Sequence, residues 1–144
     1  MKLEFINIES SFYREAVAIR TKLFFDKIKN SSALIHDEFE AKGIHLVCLN
    51  LDEVVGTGRL NIENKVGTIS QMAIKENFQN KGIGREILKA LIEKSNKHKV
   101  TAIKLGARET AISFYEKFGF IVIGQKYPSK KTGIIHQQME LKID

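Results

Sequence analysis

Residues 70–92, S-Q-M-A-I-K-E-N-F-Q-N-K-G-I-G-R-E-I-L-K-A-L-I, contain a glycine-rich turn between a predicted strand and a predicted helix. The first part of this stretch has the apolar pattern of a strand end, and from Ile83 the apolar residues recur with helical spacing. Gly82 and Gly84 stand where the helix begins, with a basic residue on either side. Glycines allow a ligand to approach the backbone closely, and the free N–H groups of a first helical turn attract anions. The stretch therefore predicts a binding site for a diphosphate.

Two better known glycine motifs do not fit this turn. The dinucleotide fingerprint needs a third glycine and an early strand–helix–strand unit, and both are missing. A P-loop needs Lys and then Ser or Thr after its last glycine, whereas Arg85 follows Gly84. For two spaced glycines taken alone, a plain tight turn before a helix stays open.

The periodicity of the whole chain predicts seven strands and three helices in the order β-α-β-β-β-α-β-α-β-β. The predicted strands are a short one around Leu3 and Phe5, then Ile44–Asn50, Glu53–Ile62, Lys65–Ile74, Val100–Leu105, Phe120–Ile123 and Ile134–Ile143; the predicted helices are Ser10 to about Lys27, Ile83 to about Lys97, and Glu109–Phe118. Residues 29–42 are predicted to be a loop with a short helix, and a basic loop with Pro128 precedes the last strand. This order predicts an α+β fold with a mixed, mostly antiparallel sheet of about seven strands flanked by helices.

Composition and charge limit the possible functions. The 144 residues carry 23 Lys and Arg against 17 Asp and Glu, a formal net charge of +6 that favours anionic ligands without choosing among them. Cys48 is the single cysteine, so an intrachain disulfide and a cysteine-based zinc site are excluded. No linker divides residues 1–144 and no apolar run approaches the roughly 18 residues of a membrane span, so a single cytoplasmic domain is expected. A nucleic acid is not expected as a partner, because no aromatic residues interleave with the basic ones. A membrane is not expected either, because no apolar run is long enough to span one.

A second segment, residues 107–120, reads A-R-E-T-A-I-S-F-Y-E-K-F-G-F. Together the two segments resemble motifs A and B of the GNAT acyltransferase superfamily. Gln79, Gly82 and Gly84 match the motif A signature Gln/Arg-x-x-Gly-x-Gly/Ala. The motif B signature, Ala-x-x-Phe/Leu-Tyr-Glu-Lys-x-Gly-Phe, is matched by Ala111, Phe114, Tyr115, Glu116, Lys117, Gly119 and Phe120. The resemblance implies a GNAT-like fold whose β-α-β unit binds an acyl-CoA.

Further segments are similar to the ElaA-type subgroup of this superfamily, whose acceptors are mostly undefined. They are A-I-R-x-K-L-F-F at 18–25, H-D-E-F-E at 36–40, H-L-V at 45–47, V-G-T-G-R-L at 55–60 and the ending G-Q-K-Y…G-I-I-H-Q-Q-M. The chain departs from the subgroup at Asp26-Lys27, where Glu-Gln is usual, and at Gln71, where Arg is common. Arg108 stands where many GNAT proteins have Asn. These departures weaken the transfer of acceptor specificity more than that of donor binding.

The resemblance implies acetyl-CoA as the acyl donor, without a metal. Its pantetheine arm would pair like an added strand with the backbone of Met72, Ala73 and Ile74, where an N–H group could polarise the thioester carbonyl. The diphosphate would lie over the glycine-rich turn, which comprises Gln79, Asn80, Lys81, Gly82, Ile83, Gly84 and Arg85. The acceptor would be a primary amine on a small molecule or a peptide, and a homodimer is one assembly left open.

Tyr115 is the residue that the resemblance implies as general acid. A phenol with an ordinary pKa of about 10 stays protonated at neutral pH and can donate to a departing thiolate. The helical spacing alone also allows Tyr115 to be a core aromatic residue.

His136 is the candidate general base, because Ser70 and Gln71 provide no carboxylate on the fourth strand. In the last strand His136 lies on the face opposite to the apolar residues Ile135, Met139, Leu141 and Ile143. A neutral imidazole accepts a proton near pH 7, although a surface role for His136 stays open. Cys48 lies in an apolar strand and is predicted to belong to the core, and His45 of the same strand is predicted to lie in the core or at its rim.

An acidic segment is expected to edge the acceptor pocket. Asp37, Glu38 and Glu40 are expected to line it, and the candidate substrate-binding residues are Asp37 and Glu38 together with Arg20, Phe24 and Arg59. Clustered carboxylates would attract a cationic amine and help to remove its proton. A solvated acidic loop is the alternative interpretation.

Two other functions stay open at this point. A non-catalytic acyl-CoA sensor is favoured by the missing carboxylate on the fourth strand and opposed by Tyr115. Arg20, Phe24 and Asp37 also resemble the N-terminal pattern of acyl-homoserine-lactone synthases, which generally run longer and lack so complete a glycine-rich turn.

Overall fold

The computed structural model describes residues 1–25, 28 and 31–144, and places seven strands in one sheet in the order β1-β2-β3-β4-β5-β7-β6. The strands are β1 (Lys2–Ile6), β2 (Ile44–Asn50), β3 (Glu53–Glu63), β4 (Val66–Ile74), β5 (Ala102–Arg108), β6 (Ile121–Pro128) and β7 (Ile135–Lys142). The helices are α1 (Tyr13–Phe25), α2 (Ser31–Ile35), α3 (Ile83–Lys97) and α4 (Ile112–Glu116), with short 3₁₀ turns at Glu76–Phe78 and Glu109–Ala111. The predicted α+β fold with a seven-stranded sheet is confirmed.

The sheet separates between β4 and β5, the one parallel pair among these strands. Val66, Gly67 and Thr68 pair with Ala102, Ile103 and Lys104, and beyond these residues the two strands no longer pair. The β5-facing edge of β4 from Ile69 to Ile74 is therefore left with backbone groups that no strand satisfies. This opening positions the site described below.

A bulge in β4 lies beside this opening. Thr57 pairs with Ala73 and Arg59 with Ser70, so two residues of β4, Gln71 and Met72, face one residue of β3. Gln71 has a positive φ of 57°, a conformation that costs a residue with a side chain about 1 kcal/mol or more. The bulge changes the direction in which β4 presents its side chains at the opening.

Helices cover both faces of the sheet, as the alternation of β2 requires. Leu46 and Cys48 belong to the cluster under α3, whereas Val47 and Leu49 belong to the cluster under α1. Burial of each large apolar side chain contributes about 1.5–3 kcal/mol to stability. The predicted core position of Cys48 is confirmed, with 3% of its surface exposed. None of the helices in the described ranges is long and apolar enough to cross a membrane.

The last third of the chain differs from the prediction. The helix expected over Glu109–Phe118 is a 3₁₀ turn followed by α4, and the chain leaves it through Gly119 at a φ of 92°. The strand expected to stop at Ile123 instead continues to Pro128, because Gly124, at a φ of 72°, lies in a bulge after which β6 pairs with β7 again. The expected end of the first helix, Asp26-Lys27, lies outside the described residues.

Candidate active site

A pocket of about 350 Å³ lies where β4 and β5 separate. Its lining comes from β4, β5, the end of α1, α4 with the turn before it, the loop after β6, and the start of β7: Ile69, Ser70, Gln71, Met72, Leu105, Gly106, Arg108, Phe24, Phe25, Ala111, Tyr115, Ser129, Lys131, Thr132 and His136. Candidate residues from distant parts of the sequence, Phe24, Tyr115 and His136, thus share one pocket. Their roles there remain predictions.

Tyr115 enters the pocket from α4. Its hydroxyl lies 3.9 Å from Sδ of Met72, next to the unpaired edge of β4. The ring packs edge-to-face against Phe114 and Phe120, with centroids 5.1 and 6.0 Å away. Burial raises the pKa of Tyr115 to about 12. The phenol therefore stays protonated at neutral pH and can serve as a proton donor.

His136 reaches the pocket from β7, where it pairs with Arg108 of β5 and Tyr127 of β6. Its Nδ1 lies 2.8 Å from the carbonyl oxygen of Ile134, and because a carbonyl only accepts, Nδ1 carries the proton. In a neutral ring Nε2 is then the nitrogen without a proton, and it is the atom through which His136 can accept one.

The face predicted to be apolar on β7 needs a partial correction. Met139 is fully buried as expected, but Ile135 is exposed and Gln137 is buried instead. The Gln137 amide donates to the carbonyl oxygens of Ile123 and Gly124 at 3.0 and 3.1 Å. These carbonyls belong to the β6 bulge, so a polar residue is needed where the apolar alternation predicts none.

Arg20 and Arg59 do not line the pocket, contrary to expectation. Both are buried and bound to Glu40: Arg20 makes two hydrogen bonds of 2.7 and 2.8 Å to its carboxylate, and Arg59 makes one of 2.8 Å. The Tyr13 hydroxyl donates a further bond of 2.6 Å. Burial alone would raise the pKa of Glu40, but Arg20, Tyr13 and Arg59 together lower it to about 2.

The buried arginines nevertheless donate hydrogen bonds to two residues that line the pocket. Nε of Arg20 donates to Oε1 of Gln71 at 3.1 Å, and Nε of Arg59 donates to Oγ of Ser70 at 3.0 Å. Ser70 and Gln71 line the pocket next to the β4 bulge. Arg20 and Arg59 thus reach the pocket through hydrogen bonds to residues that line it, and their substrate-binding role stays a prediction. Glu40 joins them across 20 and 19 residues of sequence, a distance that no local pattern reveals.

The expected acidic residues of the acceptor pocket, Asp37 and Glu38, are not among the residues that line this pocket. Asp37 binds Arg59 at 3.0 and 3.3 Å and Lys131 at 2.7 Å. Burial works against ionisation of Asp37, but the bonds from Lys131 and Arg59 hold its pKa below the usual range. Glu38 is exposed and does not line the pocket. No carboxylate is therefore found among the lining residues in the described ranges.

His45 lies beneath the same cluster and is buried, which confirms the predicted core position. Its Nε2 is 3.0 Å from the carbonyl oxygen of Glu40, and its ring packs against Tyr13 at 5.5 Å. Burial lowers the pKa of His45, so the ring stays neutral near pH 7. It supports the charged cluster without adding a charge.

The glycine-rich turn lies outside this pocket, beyond the C-terminal end of β4. Gln79 closes the turn with a bond of 2.9 Å from its amide to the carbonyl of Ile74. The first backbone bond of α3 runs from the N–H of Glu86 to the carbonyl of Gly82, and no side chain caps the helix. The N–H groups of the preceding residues are thus without a helical partner.

The space in front of the turn is open. Gly82 has a φ of 84°, and a Cβ built there would meet nothing within 4 Å; one on Gly84 would meet only the ring edge of Phe114, at 3.9 Å. Exposed N–H groups, open space and the flanking cations Lys81 and Arg85 together fit a diphosphate.

The backbone of Met72, Ala73 and Ile74 connects the turn with the pocket. Ala73 and Ile74 pair with Thr57 and Gly56 of β3, while their other edge faces the opening. An extended ligand can hydrogen-bond there in the manner of an added strand. Pocket, strand edge and turn thus form one continuous track along β4.

Comparison with known proteins agrees with this arrangement. Residues 8–143 match the sequence model of a family described as "Acetyltransferase (GNAT) domain". The chain belongs to this family. It is therefore an acetyl-CoA-dependent N-acetyltransferase, and its family transfers acyl groups to amines.

Individual relatives extend over nearly the whole chain. The uncharacterized N-acetyltransferase YjcF of Bacillus subtilis is 26% identical over 126 residues, 88% of this chain and 89% of its own length. The crystal structure of Escherichia coli ElaA superposes with a TM-score of 0.78 at 17% identity, covering 96% of this chain and 97% of that one. An aminoglycoside 6'-N-acetyltransferase complexed with coenzyme A reaches 0.81 at 13% identity, covering 99% and 97%. At these identities the structures establish the shared fold, which confirms the resemblance to ElaA at that level.

Proposed function

We propose that this N-acetyltransferase moves an acetyl group from acetyl-CoA to a primary amine of a small molecule or peptide by direct attack, with Tyr115 as general acid. The observation that carries the proposal is the position of the Tyr115 hydroxyl, 3.9 Å from Sδ of Met72 on the unpaired edge of β4. A proton donor thus stands beside the strand edge that fits the thioester arm of the donor. A single domain over residues 1–144 is part of the proposal.

The donor would bind along β4. The backbone of Met72, Ala73 and Ile74 would pair with the pantetheine arm, and an N–H group there would polarise the thioester carbonyl. The turn from Gln79 to Arg85 would hold the diphosphate through its N–H groups and cations. The donor supplies an activated acetyl group as a thioester, and the chain supplies position and protons.

Two residues would handle the protons. His136 would accept, through Nε2, the proton that the amine loses as its nitrogen attacks the carbonyl carbon, either directly or through a water molecule. Tyr115 would donate its phenolic proton to the sulfur as the carbon–sulfur bond breaks. No acyl-enzyme is needed, and the buried Cys48, whose pKa burial raises, is unsuited to be a nucleophile.

A non-catalytic acyl-CoA sensor is the second candidate. Its support is the absence of a carboxylate from the pocket lining within the described residues, which leaves His136 as the candidate base. Release of free thiol separates the two functions. Purified protein with acetyl-CoA and a panel of primary amines should release thiol in an amine-dependent manner; a sensor would bind acetyl-CoA, seen as a higher melting temperature, and release none.

A further inference from the structure

The pocket contains a group of hydrogen-bond donors whose partners among the described residues leave some of their capacity unused. The group consists of Arg108 on β5 and of Ser129, Lys131 and Thr132 in the loop between β6 and β7. All four line the same pocket as Tyr115.

The loop that carries three of these residues is held by its own hydrogen bonds. Ser129 and Ile134 are joined by an N–H to carbonyl bond of 2.8 Å, and Gly133 donates back to the Ser129 carbonyl at 2.8 Å. The hydroxyl oxygens of Ser129 and Thr132 accept from the N–H groups of Lys131 and Ile134 at 3.3 and 3.2 Å. Since both oxygens act as acceptors there, each hydroxyl proton is still available for donation.

Lys131 is fixed in place without using all its protons. Its ammonium donates to the carbonyl of Leu34 and to Oδ2 of Asp37, both at 2.7 Å. An ammonium has three N–H donors, so one remains. The Lys131 side chain is therefore already ordered before a ligand binds, and this lowers the entropic cost of binding.

Arg108 is held over an aromatic ring rather than in an ion pair. Its guanidinium carbon lies 5.6 Å from the ring centroid of Phe24, and both side chains line the pocket. Among the described residues, no carboxylate lies within ion-pair distance of Arg108. A planar guanidinium matches a carboxylate with two parallel hydrogen bonds.

The charged side chains in and behind the pocket also carry a net positive charge. In the described ranges the pocket lining and the cluster behind it contain four cations, Arg20, Arg59, Arg108 and Lys131, against the two carboxylates Asp37 and Glu40. Each carboxylate is already bound by two of those cations. In a pocket with the apolar walls of Phe24 and Phe25, the remaining positive charge favours an anion over a second cation.

We infer that the amine acceptor also carries a carboxylate, which Arg108 and Lys131 bind with the hydroxyls of Ser129 and Thr132. This inference rests on the proposed acetyl transfer and replaces a cationic acceptor with an amino acid or a similar amino-carboxylic acid. A pocket of about 350 Å³ suits a molecule of that size. The carboxylate orients the acceptor, and its amine carries out the attack.

Matched acceptors test the inference through thiol release. L-Methionine and L-phenylalanine are each compared with their carboxamides, at equal concentrations of neutral amine because the amide lowers the basicity of the amine. We expect kcat/KM to be at least tenfold higher for the acids. Arg108→Gln and Lys131→Gln should remove that preference, whereas Lys130→Gln, an exposed residue of the same loop, should keep it. Equal rates for acid and amide, or a preference for polyamines, would overturn the inference.

A binding measurement keeps this result separate from failure of the transfer reaction. Calorimetry with coenzyme A present compares N-acetyl-L-methionine with its amide, neither of which requires turnover. Tighter binding of the acid, lost in Arg108→Gln, supports the carboxylate site whether or not any amine releases thiol. Absence of thiol release would contradict only the proposed reaction. Equal binding of acid and amide contradicts the carboxylate site whatever the turnover.

Discussion

Nε of Arg20 donates a hydrogen bond of 3.1 Å to Oε1 of Gln71, and this bond joins a buried charged cluster to the floor of the pocket. Arg20 is 1% exposed and Gln71 lies in the β4 bulge with a positive φ. An unfavourable backbone conformation is thus maintained beside the track for the donor. The arrangement resembles other sites where local strain persists because the surroundings fix it.

The strain at Gln71 can be measured with two substitutions that both remove its side-chain bond. Gln71→Gly accepts a φ of 57° without penalty, whereas Gln71→Ala does not. We expect the Gly variant to be more stable than the Ala variant by about 1 kcal/mol in urea unfolding. In an ordinary strand position the order would be the reverse, so a more stable Ala variant would refute the strained bulge.

Glu40 should control the acid stability of the protein. Its pKa lies near 2 in the folded state, below the usual value of 4.5, so its contribution is present above pH 4.5 and is lost as the pH falls toward 2. Glu40→Gln leaves Arg20 and Arg59 without a buried anion, and we expect a loss of roughly 3–5 kcal/mol at pH 7 with a flatter dependence between pH 4.5 and 2.

A matched control for this measurement is Glu109→Gln. Glu109 pairs with Lys126 at 3.0 Å with both side chains largely exposed, so its loss should cost less than about 1 kcal/mol. If both variants lost a similar free energy of unfolding, the buried cluster would stabilise the fold no more than an exposed ion pair does. Urea unfolding at a series of pH values gives both numbers.

Substitutions in the glycine-rich turn should weaken acetyl-CoA binding through the charge of the new side chain more than through its size. Gly84 has room for a side chain, since a Cβ there would lie 3.9 Å from Phe114. Gly84→Asp brings a carboxylate toward the diphosphate and should abolish the rise in melting temperature caused by acetyl-CoA, whereas the neutral Gly84→Asn should keep part of it. An unchanged rise with the Asp variant would place the diphosphate elsewhere.

Much of this arrangement follows from local sequence. The bounds of β2 agree with the prediction to the residue because residues 46–49 form an unbroken apolar run, and the glycines located the start of α3. The β6 continuation to Pro128 escaped prediction because Gly124 interrupts its alternation with a bulge. The pairing of Arg20 and Arg59 with Glu40 escaped it as well, because charged residues so far apart in sequence leave no periodic signal. The ion pairs of Asp37 with Arg59 and Lys131 escaped prediction for the same reason, because they are set by the tertiary fold.

His136 should affect the rate without affecting donor binding. Because its Nδ1 proton is bound to the Ile134 carbonyl, Nε2 is the nitrogen that would accept the amine proton. We expect His136→Ala to lower kcat by about 10- to 100-fold while the affinity for acetyl-CoA stays within twofold. His136→Gln, which can still hydrogen-bond but is not a base, should be as slow as the Ala variant; wild-type rates with Gln would reduce His136 to a binding residue.

The most direct measurement is the turnover of Tyr115→Phe with a reactive amine, followed as thiol release beside acetyl-CoA binding and thermal unfolding. The substitution keeps the ring between Phe114 and Phe120 and removes only the hydroxyl near Met72, so stability and donor affinity should stay close to wild type. As the pKa of Tyr115 is about 12, the proton it donates is present throughout the neutral range, and its loss should lower kcat by roughly 10- to 1000-fold. Wild-type turnover in Tyr115→Phe, with binding and stability unchanged, would contradict the account.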